Sequence, residues 1–264
     1  MTAAEQKIHL QYHSFVLKNP MMQKFIIPNI DNIPSRASIQ GQDAKHIFKV
    51  LRLSPGDPIE VTNGDGTDYK ARIAAVSPGN IEVDIIDGHD SLTESALHIT
   101  LCSGMLKDKK MDLVIKHVTQ LGIHQWIPFF CERSIPTPDA KRIKNRHQRW
   151  ETIAVESLKQ CRRSRLPQIL TPLSFENLLD HAEAYDLKIA FWEKATQKLD
   201  TLTRNSSPLK VIILIGPEGG LSETEIEIAQ KKGFLSYSLG PRILRAETAA
   251  ISSCTLIQHI LGDI

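Results

Sequence analysis

An α/β protein in two parts is what this sequence predicts: a small β-domain followed by a mostly parallel sheet covered by helices. Three observations carry that expectation. Short β-prone runs broken by tight-turn residues occupy residues 24–87, and after Gly88 strand-like runs alternate with helical patterns. The longest aliphatic run, Val211 to Ile215, shows no polar alternation, as expected of a strand buried on both faces. A length of 264 residues accommodates one large domain or two smaller ones.

Residues 1–20 show no clean periodicity, end in Asn19-Pro20 and read as an extension. The β-domain is expected over 21–90, with strands at 25–27, 58–61, 69–75 and 81–86 and one helix around 42–50. Asn63-Gly64-Asp65-Gly66 is a hairpin signal, because Asn-Gly and Asp-Gly tolerate the positive φ of primed turns. Such a pattern predicts a small β-barrel or sandwich. The α/β domain is expected over 91–264, with strands at 99–102, 126–130, 187–191, 211–215 and 235–239. Its first helix is marked by Met111, Val114, Ile115, Val118 and Leu121 at helical spacing, with Gly122 where a stop belongs. Further helices are expected at 145–161, 175–182, 223–232 and 247–261.

Composition narrows the function classes. With 41% hydrophobic and 23% charged residues, the chain is neither disordered nor fibrous. No apolar run approaches the roughly 18 residues of a membrane span. Glu5, Lys7, His9 and His13 interrupt any secretory-signal pattern, so a cytosolic protein is expected. Cys102, Cys131, Cys161 and Cys254 form no C-x-x-C pair, which argues against zinc ribbons and thioredoxin-type sites, and the ten histidines form no ligand cluster. Net charge is only +2, yet the stretch from Lys141 to Arg165 holds nine lysines and arginines against Glu151 and Glu156. A local basic stretch in a near-neutral chain is either an address for a polyanion or a solvated helix face.

Two turns concentrate the chemistry. The aliphatic run ends in Gly216-Pro217-Glu218-Gly219-Gly220, and Ser222-x-x-Glu225 then caps the next helix. In open α/β sheets ligands bind beyond the carboxyl ends of strands, where glycine lets the backbone approach them. Neither a dinucleotide fingerprint nor a phosphate loop is present, and Gly64-Asp65-Gly66 belongs to the hairpin. The second turn, Ser238-Leu239-Gly240-Pro241-Arg242-Ile243-Leu244-Arg245, also follows a strand. Arg242 and Arg245 give the implied pocket a positive rim; arginine stays protonated, so it can hold an anion but not act as a base.

These two motifs, with Glu247-Thr248-Ala249, resemble those of the bacterial 16S rRNA uridine-N3 methyltransferases of the SPOUT superfamily. Lys107-x-x-Lys110-Met111-Asp112, Leu121-Gly122, Glu132-Arg133-Ser134, Arg149-Trp150 and Gln160-Cys161-x-Arg163 match the family in the same order, as does His46-x-x-x-Val50-Leu51-Arg52 through Gly56-Asp57. The likeness covers roughly 22–264. The departures are residues 1–20, Ala246 where the family has threonine, and Lys159 where an acid is common.

The resemblance implies a PUA-like RNA-binding β-barrel, a C-terminal knotted α/β methyltransferase domain, a cytoplasmic homodimer, S-adenosylmethionine as cofactor, 16S rRNA in the small subunit as substrate, and no metal. It places the cofactor at Leu214, Ile215, Gly216, Pro217, Glu218, Gly219, Gly220, Ser238, Leu239, Gly240, Arg242, Ile243, Leu244, Arg245, Thr248 and Ala249. RNA falls to Lys24, Arg52, Lys107, Lys110, Arg133, Arg149, Arg162 and Arg163, with Arg163 expected nearest the site. Arg245, Glu218 and Glu247 are the catalytic candidates, either glutamate as base. A non-catalytic RNA-binding assembly factor, or methylation of another RNA position, remains the alternative.

Overall fold

The computed structural model describes residues 22–27, 35–107, 109–135, 138–202 and 210–264. The extension expected over 1–20 lies outside them. The chain divides into two compact units, one running to Glu94 and including Arg162–Arg165, the other formed by Ser95–Cys161 and Leu166–Ile264.

The first unit holds strands β1 (Lys24–Ile26), β2 (Arg36–Gln40), β3 (Pro58–Thr62), β4 (Thr67–Ser77) and β5 (Asn80–Asp90). They form one sheet in the order β1-β3-β4-β5-β2, antiparallel except for β1 beside β3, curled into a half-barrel. Between β4 and β5 the register shifts at Lys70/Ala71 and again at Ile73/Ala75, and such irregularities bend a strand. The β3–β4 hairpin turns at the expected residues, with Gly64 at φ +93° and Gly66 at φ +105°. Strand β2 was not anticipated, since Ala37 and Ile39 are its only buried residues. Helix α1 (Gly41–His46) passes into a π-helical turn at Ile47–Leu51 that ends on Arg52 in the left-handed region. Ala44 and Ile47 anchor that segment in the core.

Two residues expected to meet RNA are consumed inside this unit. Lys24, whose side chain is 6% exposed, pairs with Asp68 and lies 4.0 Å from Glu60. Arg163 donates to Glu94 through Nη2 at 2.8 Å and Nε at 3.2 Å, and is buried. The other oxygen of Glu94 accepts the backbone N–H groups of Ser164 and Arg165. Both cations are buried against carboxylates of their own unit and are not presented to a phosphate, so Lys24 and Arg163 are structural here. Among the described residues one group has the spacing of metal ligands, Glu60, Asp68 and His89, and the Lys24 ammonium faces two of its three members.

The second unit carries β6 (His98–Gly104), α2 (Lys110–Gln120), β7 (Gln125–Phe130), α3 (Ala140–Cys161), the short β8 (Gln168–Ile169) and β9 (Leu173–Ser174), and α4 (Phe175–His181). It continues with β10 (Leu187–Phe191), β11 (Lys210–Ile215), α5 (Glu223–Lys231), β12 (Leu235–Tyr237) and α6 (Ala246–Leu261). The sheet runs β12-β10-β11-β6-β7-β8, with β9 also on β7, and every pairing is parallel. Successive residues of β11 point to opposite faces. Val211, Ile213 and Ile215 pack with α2, α3 and α6, while Ile212 and Leu214 pack with α4 and α5. That two-sided burial explains the unbroken aliphatic run. The capping box forms as expected, Ser222 and Glu225 exchanging side-chain-to-backbone bonds.

Arg163→Ala should cost about 3–5 kcal/mol of folding stability, because it leaves Glu94 largely buried without its counter-charge. Urea denaturation measures it; a loss within the ~1 kcal/mol of an exposed pair would show that the burial has no energetic consequence.

Candidate active site

Parallel register brings three loops to one place. Phe191 is opposite Ile215 and also opposite Tyr237, so β10, β11 and β12 end level with one another. The residues after those ends are Trp192-Glu193, Gly216–Gly220 and Ser238–Arg245. Together they line a cavity of about 440 Å³, with Lys110, Ala246 and Ala249 also in its wall.

The glycine turn is tight for steric reasons. Gly220 N–H donates to Pro217 O at 2.9 Å, and Gly220 itself has φ +70°. A Cβ on Gly216 would meet the backbone of Gly220 and Leu221 at 2.9 Å, so the chain can double back only with glycine there. At Gly219 a Cβ would lie 2.9 Å from the Cβ of Arg133. Gly219→Val would therefore strike the Arg133 turn. That turn is held in two ways: Arg133 donates to Gly219 O at 3.0 Å, and Glu132 N–H donates to Glu225 at 2.8 Å.

The second loop begins with an ST-turn, Gly240 N–H donating to Ser238 Oγ at 3.1 Å, and Gly240 has φ +106°. Leu239 and Ile243 line the cavity with backbone groups that no described residue engages. Leu239 is half-buried and its peptide groups need partners, and Ile243 is exposed with its own available, so such a wall suits a ligand rich in donors and acceptors, such as an adenine edge. The cavity also presents apolar Phe191, Ile215 and Leu221. Glycine turns, unpaired peptide groups and an apolar floor fit an adenosyl cofactor.

Charge at the rim is organised by Lys110. Its ammonium donates to Glu218 at 2.9 Å and stands 3.9 Å from Glu247, whose Oε2 accepts no hydrogen bond from the described residues. Partial burial acts to raise the Glu218 pKa, but the bonds from Lys110 and from backbone amides, Lys107's included, outweigh it and hold the group below the ordinary glutamate range. A carboxylate so held is a poor proton acceptor. Arg245, by contrast, is exposed at the rim and makes no ion pair or hydrogen bond through its side chain among the described residues. The pairing of Arg245 with Glu218 or Glu247 that would have made it structural is pre-empted by Lys110.

Fourteen of the sixteen residues expected to hold the cofactor line the cavity; Leu214 and Thr248 do not. Leu214 faces the α4–α5 side of the sheet and is fully buried there, and Thr248 lies on an exposed face of α6. Phe191, Trp192, Glu193, Leu221, Pro241 and Ala246 line the cavity without having been expected to, and Lys110, expected to contact RNA, also lines it. Lys107 presents its backbone to Glu218. Of the remaining RNA candidates, Arg52 and Arg133 are exposed, Arg149 is half-exposed while paired with Asp112 at 2.7 Å, and Arg162 bonds Met22 O and Glu60. Lys141, Arg142 and Lys144 are exposed along the first half of α3.

A family model described as an RNA methyltransferase domain matches residues 93–258, and one described as an RNA methyltransferase PUA domain matches 39–86. Ribosomal RNA small subunit methyltransferase E of Bacillus subtilis is 31% identical over 251 residues, covering 90% of this chain and 96% of its own length. The crystal structure of a ribosomal RNA small subunit methyltransferase E from Neisseria gonorrhoeae bound to S-adenosyl methionine is 27% identical, with TM-score 0.82 over 92% of this chain and 99% of that one. A Legionella pneumophila methyltransferase solved with bound SAM is 28% identical, with TM-score 0.81 over 93% of this chain and all of that one.

Because its folded pKa is lowered, Glu218 contributes stability that is present above its ordinary value of 4.5 and lost as pH falls through the lowered one. Lys110→Met should move the Glu218 midpoint upward in a carboxyl NMR titration. An unmoved midpoint would mean that the backbone amides alone hold it down.

Proposed function

This chain belongs to the ribosomal RNA small subunit methyltransferase E family, and from that premise we propose that it methylates N3 of a uridine in 16S ribosomal RNA using S-adenosylmethionine. The observation that carries the proposal is the cavity at the level ends of β10, β11 and β12, built from the two motifs that resemble the family's. A cytoplasmic homodimer working without metal completes the reading, as the resemblance implies.

Bound in the cavity, S-adenosylmethionine would supply a methyl group already activated by its sulfonium. What remains for the protein is orientation and electrostatics. The turns at Gly216–Gly220 and Ser238–Arg245 position through their backbones. Uridine N3 must lose its proton to solvent water as it is alkylated, and the negative charge that develops is shared with the flanking carbonyl oxygens. The unpaired Arg245 guanidinium at the rim stabilises that charge, which lowers the barrier without a strong base. Lys110 keeps Glu218 ionised and occupied, so Arg245 stays available to the substrate.

The exposed cations of α3, with Arg133, are the surface proposed for RNA phosphates in the second unit, and Arg52 is a separate phosphate contact proposed in the first. Removing four of Lys141, Arg142, Lys144, Arg146 and Arg149 should weaken RNA binding and flatten its salt dependence by roughly 0.7 in the log–log slope per lost contact. Cofactor affinity should not move. An unchanged slope would make this a solvated helix face.

Nucleoside mass spectrometry of small subunits treated with the protein and S-adenosylmethionine tests the reaction itself. 3-Methyluridine is expected; a different methylated nucleoside would relocate the target, and none would favour the assembly-factor alternative. In single-turnover assays with both substrates saturating, Arg245→Ala and Arg245→Lys should each slow methylation about a hundredfold, the typical loss of one preorganised donor. Near-normal rates for both would remove Arg245 from the mechanism.

A further inference from the structure

We propose that Glu193 recognises the ribose diol of the cofactor, an inference that rests on the reading of the cavity as the S-adenosylmethionine site and deepens it. Glu193 follows β10 by two residues, and the end of β10 is level with the end of β11, so Glu193 stands beside the glycine turn. It lines the cavity. A Cβ built on Gly220 would sit 3.2 and 3.4 Å from the two Glu193 carboxylate oxygens, so the carboxylate reaches over the turn at the one residue there with positive φ.

Glu193 makes no ion pair or hydrogen bond through its side chain among the described residues, although cations are close at hand. Its neighbour Lys194 is bound to Glu223, and Lys110 across the cavity is bound to Glu218. An acid left unpaired on a wall otherwise built from backbone is positioned to accept hydrogen bonds from a ligand. In parallel sheets that bind nucleotides at a glycine-rich turn, an acid in the next βα unit accepts from the ribose hydroxyls. Here the order along the chain is reversed, since β10 precedes β11, but the two strands are adjacent and end level, which likewise sets the acid beside the glycine turn. A carboxylate has two acceptor oxygens, which matches two vicinal hydroxyls.

Calorimetry with S-adenosylmethionine, S-adenosylhomocysteine and a 2′-deoxy analogue of the latter tests this without turnover. Glu193→Gln should weaken S-adenosylmethionine and S-adenosylhomocysteine by the same factor, on the order of tenfold or more. The 2′-deoxy analogue should bind wild type more weakly than its parent, and Glu193→Gln should erase most of that difference. Glu193 is exposed, so the variant is expected to melt like wild type without ligand, and Glu193→Asp should recover part of the affinity. Three results would overturn the proposal: unchanged affinities, a loss confined to the sulfonium ligand, or an undiminished 2′-deoxy penalty in Glu193→Gln. Wild-type protein that binds neither ligand would overturn the cofactor reading and this proposal with it.

Discussion

Everything in the site follows from the registration of parallel strands. Because β10, β11 and β12 are hydrogen-bonded side by side and end at Phe191, Ile215 and Tyr237, the chain must turn three times at one edge of the sheet. Residues separated by some fifty positions in sequence thereby share a cavity. The constraint is enforced by burial on both sides: β11 contributes alternate residues to two separate clusters, and a one-residue slip would exchange them. At the neighbouring strand, Gly104 closes the arrangement, since a Cβ there would lie 2.5 Å from the Pro217 nitrogen. The glycine turn rests directly on the end of β6.

Charge in this protein is sorted by burial. In the first unit, Lys24 and Arg163 are desolvated against Asp68, Glu60 and Glu94, where they bind chain segments together. At the cavity rim, a single lysine answers two carboxylates and leaves an arginine with no side-chain partner among the described residues. The same residue types therefore have opposite uses. Whether a cation can meet RNA depends on whether a carboxylate has already replaced its water, and that is a property of the fold rather than of the local sequence.

Much of the fold was legible because its signals are local. The spacing of Met111, Val114, Ile115 and Val118 reappears as the buried face of α2, and Gly122 stops that helix with φ +80°. Asn63-Gly64-Asp65-Gly66 makes its hairpin, and Ser222 with Glu225 makes its capping box. The misses have a common cause. Strand β2 has two buried residues and β8 and β9 have two residues each, so their pairing energy comes from neighbours distant in sequence. Helix α3 begins at Ala140, earlier than expected, because its first turns are cationic and carry little apolar periodicity.

By itself the sequence determined the two-part α/β class, the two glycine-proline turns, and the motif resemblance that led to the family. These are written in runs of adjacent residues, where backbone conformation and hydrophobic period act over a few positions. Only the tertiary structure decided which side chains face the cavity. Leu214 turned to the opposite side of its strand, Lys110 came to the rim beside Glu218, and Glu193 emerged beside Gly220. The physical reason is that strand order and register, set by packing across the whole sheet, determine which loop ends meet. Burial then decides which charges remain free to act.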